Sequence, residues 1–264
     1  MKVSRARYGI DRPSLAALSF SEAALSVALA AAVYGYTPAP FALRAVVLAV
    51  GAAAGARFLL RGASYVLGAR GGKLRDRDRL FRDIDWQGVR GVLDAGCGPG
   101  LLLVGSAKAA PDSRVTGVDI WDRRLESGNS PRRALENAAI EGVGDRVEVR
   151  EGDIRRLPFT DSTFDLVLSR AVLNHVKGAG ARRAAVHELV RVLRPGGQLG
   201  LVIVDDWNLD EYKAWLRDEG VEVRALREAA RYPPGLVFLR ALTGMPTLVG
   251  VKGPERQGPV TPGG

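Results

Sequence analysis

The residues most able to do chemistry are the run Val92-Leu93-Asp94-Ala95-Gly96-Cys97-Gly98-Pro99-Gly100. Glycines spaced G-x-G-x-G let a backbone turn through positive φ and approach a ligand with no side chain intervening. Asp94 lies two residues before the first of them, and the spacing departs from the G-x-G-x-x-G fingerprint of dinucleotide sites. Asp119 follows 19 residues after Gly100, at the close of an apolar stretch. A carboxylate placed there is suited to accept hydrogen bonds from both hydroxyls of a ribose. Gly152-Asp153-Ile154 puts a further acid after a third apolar stretch. A second polar run, Ser169-Arg170-Ala171-Val172-Leu173-Asn174-His175, follows a fourth. Within it His175 could act as a base near neutral pH, Asn174 could orient a polar substrate and Arg170 could hold an anionic one. A structural hydrogen bond is the competing role for His175. Cys97 has no activating base near it in sequence and reads as a small packing residue.

These residues need a scaffold that brings strand ends together. The apolar stretches 89–93, 114–118, 147–149, 164–168, 198–204, 221–225 and 247–251 read as strands. Helical patterns over 101–110, 131–141, 181–193 and 209–218 alternate with them. Ser130 is an N-cap, Pro131 occupies the first helical position, and Gly142 supplies the stop. Pro195-Gly196-Gly197 ends the helix before the fifth strand. Such alternation predicts an α/β fold: a Rossmann-like, seven-stranded, mostly parallel sheet with helices on both faces. Ligands of such sheets bind outside the carboxyl ends of the strands, where the motifs lie.

At this point the sequence resembles the class I S-adenosylmethionine-dependent methyltransferases over roughly residues 70 to 252. The resemblance implies S-adenosylmethionine as cofactor, with Asp94, Gly96, Gly98 and Gly100 around its methionine part. It makes Asp119 the ribose-binding acid, Ile120 the adenine-packing neighbour, Asp153 the acid meeting the adenine amino group, and Ile154 its companion beside the ring. Ser169 joins these as a cofactor-binding candidate. Leu157-Pro158-Phe159, Phe164-Asp165-Leu166-Val167 and Leu193-Arg194-Pro195-Gly196-Gly197 also look like family segments. Gly72-Lys73-Leu74-Arg75-Asp76-Arg77-Asp78 and Ser127-Gly128-Asn129-Ser130 look like a small-molecule methyltransferase subgroup, without fixing a substrate.

The remaining chain is of another character. Overall 47% of the 264 residues are hydrophobic and the net charge is +9, yet residues 13 to 60 carry only Glu22, Arg44 and Arg57 as charges. Residues 15–36 and 41–60 are two apolar stretches separated by Thr37-Pro38-Ala39-Pro40. A 22-residue helix spans about 33 Å, enough for a hydrocarbon core of about 30 Å, so the pair reads as a transmembrane hairpin. A signal peptide or an Ala-rich soluble arm are the competing readings. Lys2, Arg5, Arg7 and Arg12 precede the hairpin; Arg61, Arg70, Lys73, Arg75, Arg77 and Arg79 follow it, and its turn is uncharged. Positive flanks place both ends and the catalytic domain in the cytoplasm. Reflection about residue 38 sets Glu22 opposite residue 54, within a turn of Arg57, so those two are the expected ion pair; snorkelling is the alternative for each.

The expected organisation is a hairpin over 1–62, a basic linker and helix over 63–85, the methyltransferase domain over 86–252, and a disordered tail over 253–264. The basic balance fits nucleic acid or an anionic membrane face; the cations crowd the end of the apolar segment and no nucleic-acid recognition motif accompanies them, which favours the membrane. One cysteine excludes an internal disulfide framework and a cysteine-rich zinc site. Two functional classes follow. One is a membrane-anchored enzyme methylating a lipophilic small molecule or lipid, with a protein-methylating variant of it. The other is a non-catalytic, cofactor-binding membrane interaction module. Neither the acceptor atom nor the oligomeric state is legible.

Overall fold

The computed structural model describes residues 6–11, 13–204, 209–230, 239 and 243–254. Two long helices open it, α1 (Pro13–Tyr36) and α2 (Phe41–Leu67), packed as an antiparallel pair about the 37–40 turn. Their small residues permit close approach. A side chain at Gly51 would strike Ala30, one at Gly55 would strike Val27, and one at Gly62 would strike Phe20. Elsewhere the pair faces outward with Leu25, Leu29, Val46 and Val50 exposed, the reverse of a soluble core helix.

Within the hairpin Glu22 pairs with Arg61, one turn beyond the Arg57 expected. Ala30 opposite Gly51 centres the reflection between residues 40 and 41 rather than at 38. The close-packing glycines set the stagger, and that carries Glu22 past Arg57. The Arg61 guanidinium also donates to Ser19 Oγ at 2.8 Å.

No separate linker follows. α2 runs on to Leu67, passes through one wide π-helical turn (Gly68–Gly72) and continues as α3 (Lys73–Phe81). The sheet then forms from β1 (Gly91–Ala95), β2 (Arg114–Asp119), β3 (Val147–Glu151), β4 (Phe164–Arg170), β5 (Leu193–Val202), β6 (Val221–Arg227) and β7 (Thr247–Lys252). Their order is β3-β2-β1-β4-β5-β7-β6, with only β7 antiparallel to its neighbours. This is the seven-stranded, mostly parallel sheet expected. Parallel strands covered on both faces must be apolar throughout, and Val92, Leu93 and Ala95 are fully buried.

α6 (Ala179–Arg191) and α7 (Leu209–Asp218) cover one face through Leu189, Tyr212 and Leu216. α3, α4 (Leu101–Ala109) and α5 (Pro131–Ile140) cover the other through Leu80, Leu102, Leu103 and Ala134. Ser130 caps α5 as its residue type dictates, its Oγ accepting from the Arg133 amide at 3.2 Å. Strand ends shift from expectation: β1 begins at Gly91, not Val89, and β5 begins at Leu193 because Leu193 pairs with Phe164 ahead of an irregularity in the ladder. Tail residues 255–264 lie outside the described residues.

Candidate functional site

β1 ends at Ala95, and the chain then turns through Gly96, Gly98 and Gly100 at φ of 76°, 51° and 89°. That turn is pinned to the end of β2, because the Gly96 and Cys97 amides both donate to the Val118 carbonyl, at 2.7 and 3.0 Å. A side chain at Gly96 would overlap Val172, and one at Gly98 would overlap the Glu126 carboxylate. Both glycines are demanded by space as well as by φ. Cys97 is buried, its sulfur filling the space beside Gly117, and burial pushes its thiol well above the usual range. It packs, as its sequence context suggested.

Asp119 closes β2 and organises the loops around it. Its Oδ2 accepts from the Gly98 amide at 2.9 Å; its Oδ1 accepts from the Trp121 amide at 2.7 Å and from Asn129 Nδ2 at 3.0 Å. The strand-end acid thus fastens the glycine turn to the Ser127–Ser130 stretch. Asp94 lies beneath, almost fully buried, with Oδ2 accepting from the Leu103 amide at 2.8 Å. Its Oδ1 is buried and has no protein hydrogen-bond partner. Burial, opposed by that one amide and reinforced by the charges of Asp119 and Glu126, pushes its carboxyl up to about 7.

Over this floor lies a cavity of about 350 Å³. Gly96, Asp119, Ile120, Asp153, Ile154, Arg170 and His175 line it together, though they come from separate strand ends. Ile120 is half exposed there, an apolar side chain with open space before it, whereas Ile154 is buried. Asp153 is held below the usual carboxylate range, chiefly by hydrogen bonds from the neighbouring Arg155 side chain. Ala171 adopts φ of 56° beside the cavity, a left-handed conformation that costs a non-glycine residue energy on the order of 1 kcal/mol or more.

Other expected residues stand differently. Gly98, Gly100, Asp94, Ser169 and Asn174 do not line the cavity. Gly98 and Gly100 shape its turn, and Ser169 Oγ donates to the Ala95 carbonyl at 2.8 Å, joining β4 to β1. Asn174 lies in the short helical turn Leu173–His175, with its buried Oδ1 lacking a protein partner. Arg170 reaches the cavity with its guanidinium already engaged, by Asp11 at 3.4 Å and Asp76 at 3.2 Å. Sequence reasoning missed Glu126, Asn129 and Asp11 on these walls. The Ser127–Ser130 stretch was the signal for Asn129; nothing local marked the other two.

A family model described as a methyltransferase domain matches residues 93–201, the span from β1 to β5 that carries every one of these strand ends. The domain belongs to the class I S-adenosylmethionine-dependent methyltransferases. Among its relatives, 27-O-demethylrifamycin SV methyltransferase of Amycolatopsis mediterranei is 30% identical over 59% of this chain and 62% of that protein. Demethylmenaquinone methyltransferase of Symbiobacterium thermophilum is 39% identical over 40% of this chain and 39% of that one. The chain therefore spans less than two thirds of the length of these curated relatives. In fold, the methyltransferase domain is similar to a methyltransferase of Aquifex aeolicus (TM-score 0.50, 18% identity, 67% of this chain and 89% of that one). It is also similar to the [4+2]-cyclase SpnF (TM-score 0.53, 20% identity, 70% of this chain and 83% of that one). The fold alone thus does not set the reaction.

S-adenosylmethionine is the cofactor of this methyltransferase domain. The residues present fit it: a turn free of Cβ atoms, an exposed apolar side chain at Ile120, and the buried, unpartnered Asp94 oxygen in an acid-rich floor suited to a cation.

Proposed function

We propose that the chain is a membrane-anchored methyltransferase that moves the methyl group of S-adenosylmethionine to a lipophilic small molecule or lipid. The observation that carries this reading is continuity. The apolar hairpin passes through one turn into α3, and α3 packs on the sheet beside the cavity, so an acceptor held in a bilayer lies close to the cofactor residues. Helices of 24 and 27 residues are about 36 and 40 Å long, sufficient to cross a bilayer with some tilt. Their outward apolar faces and basic flanks support insertion with both ends cytoplasmic. The relatives named for demethylmenaquinone and 27-O-demethylrifamycin SV favour a small-molecule acceptor over a protein.

In this account Asp119 and Asn129 hold the ribose end, Ile120 and Ile154 flank the adenine, and Asp153 meets its amino group. Asp94, Gly96, Gly98 and Gly100 shape the methionine end, where Ser169 locks β4 to β1. The cofactor supplies a methyl group already activated on a sulfonium, so alignment and exclusion of water carry most of the catalysis. His175, on the cavity wall, is the candidate to take a proton from an acceptor hydroxyl or ring position. Asn174, in the same turn, keeps a buried Oδ1 without a protein partner and is the candidate to orient a polar acceptor. Arg170 acts through its carboxylate partners rather than on an anionic substrate.

The test is a partition experiment. Detergent-solubilised full-length chain is given methyl-labelled cofactor and vesicles made from lipids of its own host. Label is then counted in the organic, aqueous and protein fractions. Label in the organic fraction supports the reading. Label confined to protein turns it into a protein methyltransferase, and bound cofactor with no transfer makes the chain an interaction module.

A further inference from the structure

The stretches Gly72–Asp78 and Ser127–Ser130 have so far only a partial role, and the structure gives both a common partner. That partner is a strap over residues 7–11, ahead of α1. The Ile10 amide donates to Ser127 Oγ at 2.7 Å, and the Ile10 carbonyl accepts from the Ser127 amide at 3.0 Å. Lys73 Nζ donates to the Tyr8 carbonyl at 2.8 Å, and Asp11 bridges to Glu126 in antiparallel fashion. Asn137, wholly buried in α5, accepts from the Arg7 amide at 2.9 Å through Oδ1. Its Nδ2 donates at 2.8 Å to the Arg7 carbonyl and at 2.8 Å to the carbonyl of Pro99 in the glycine turn. One amide therefore holds the strap and the cofactor turn together.

The carboxylate of Asp11 lines the same cavity as Asp119 and Gly96. It meets Lys73 Nζ at 2.8 Å and Arg170 Nη1 at 3.4 Å. Lys73 also pairs with Glu126, whose carboxylate lies over Gly98, and Arg170 also pairs with Asp76. Lys73, Asp76 and Arg170 are nearly buried, so their partners fix where they point. Asp11 stands two residues before α1 begins, and Lys73 starts α3 after the turn that ends α2. Both domain-side ends of the hairpin thus meet behind one wall of the cavity, Lys73 holding the Asp11 and Glu126 side chains that line it.

We propose that Asp11, at the end of the 7–11 strap, is a wall residue of the cofactor cavity and a positioning residue of the site, acting through Lys73, Arg170 and Glu126. The hairpin is then a component of the binding site and not a detachable anchor. This rests on the cofactor reading of the cavity. Without Asp11, two buried cations each lose a carboxylate beside a site that must take up a cationic sulfonium. The glycine turn also loses part of the strap packed over it.

The test uses full-length chain in detergent, titrated calorimetrically with S-adenosylmethionine, as wild type, Asp11→Asn and Asp11→Glu. Asp11→Asn is expected to weaken binding about tenfold or more, the scale of one lost charge-assisted hydrogen bond. Asp11→Glu is expected to recover much of it. Hydrogen exchange adds a readout that a merely structural role leaves unmoved: cofactor should slow exchange at the Ile10 and Ser127 amides of the wild type. Should Asp11→Asn fail to fold, Ser127→Ala loosens the strap without touching a charge and is expected to weaken binding in the same direction. Wild-type affinity in folded Asp11→Asn or Ser127→Ala, or a strap indifferent to cofactor, overturns the proposal. A wild type that binds no cofactor fails the underlying reading instead, and the proposal with it.

Discussion

Asp119 is the residue whose replacement is most informative. All three of its hydrogen-bonding neighbours, the Gly98 amide, the Trp121 amide and Asn129 Nδ2, are donors. Asp119→Asn is therefore not conservative, since the new NH₂ group must face a donor in either orientation. Asp119→Ala removes the acceptor altogether and frees the glycine turn from the Ser127–Ser130 stretch. A hydrogen bond to a charged group contributes about 1.5 to 3 kcal/mol, so losing the ribose contact alone weakens cofactor binding roughly 10- to 150-fold. Loss of the ordered turn adds to this, and the asparagine variant is expected to fare no better than the alanine one. Calorimetric titration of full-length protein with S-adenosylmethionine and S-adenosylhomocysteine measures the effect, with thermal unfolding confirming the fold. Affinity within about twofold of wild type in either folded variant would refute the assignment of Asp119 to the site.

Further outcomes follow from the same geometry. Gly98→Ala sets a side chain against the Glu126 carboxylate at a φ of 51°, so it should weaken cofactor binding about tenfold while the sheet remains folded, as titration and circular dichroism would reveal. Burial pushes Asp94 up to about 7 and raises Glu126 against the pull of Lys73, and a cationic ligand favours their ionised forms. Binding therefore releases protons, and affinity should rise from about pH 6 to about pH 8 and then level off; an affinity that falls over that range contradicts the reasoning. The same raised values make the ligand-free fold lose stability as pH climbs from about 4 through about 7, where the unfolded chain ionises first, which unfolding midpoints across that window check. In the hairpin, Glu22→Gln leaves Arg61 without its carboxylate and should lower the unfolding midpoint in detergent, with the Glu22→Gln/Arg61→Gln pair recovering part of the loss. For orientation, a cysteine at Thr37 should react with an impermeant reagent applied to intact cells and one in the 253–264 tail should not; the reverse pattern overturns the topology.

The legible parts of this protein are those where one residue type answers a local backbone demand. Gly96, Gly98 and Gly100 announced a turn because three positive φ angles in five residues leave few other choices. Asp119 was visible because the β2 pattern ends on it, and Ser130-Pro131 because a helix start needs a cap and a residue without an amide. The cluster of Asp11, Lys73, Asp76, Glu126 and Arg170 had no such signature. Its members come from four places in the chain, and only the sheet order and the path of the hairpin bring them together. Arg170 shows the cost of reading one position alone. Sited at a strand end it looked free to hold a substrate anion, yet two distant carboxylates engage it. The Arg61 partner of Glu22 was not legible for a related reason, since helix stagger depends on which small residues meet and not on the midpoint of the turn.

The central claim is catalytic turnover on a membrane-resident acceptor, and S-adenosylhomocysteine is its obligatory product. Mass spectrometry can count that product per chain when full-length protein is incubated with S-adenosylmethionine and membranes of its own host. Many molecules per chain are expected with membranes present, few without them, and few for Asp119→Ala in either case. Cofactor bound one to one with no S-adenosylhomocysteine formed would contradict the account.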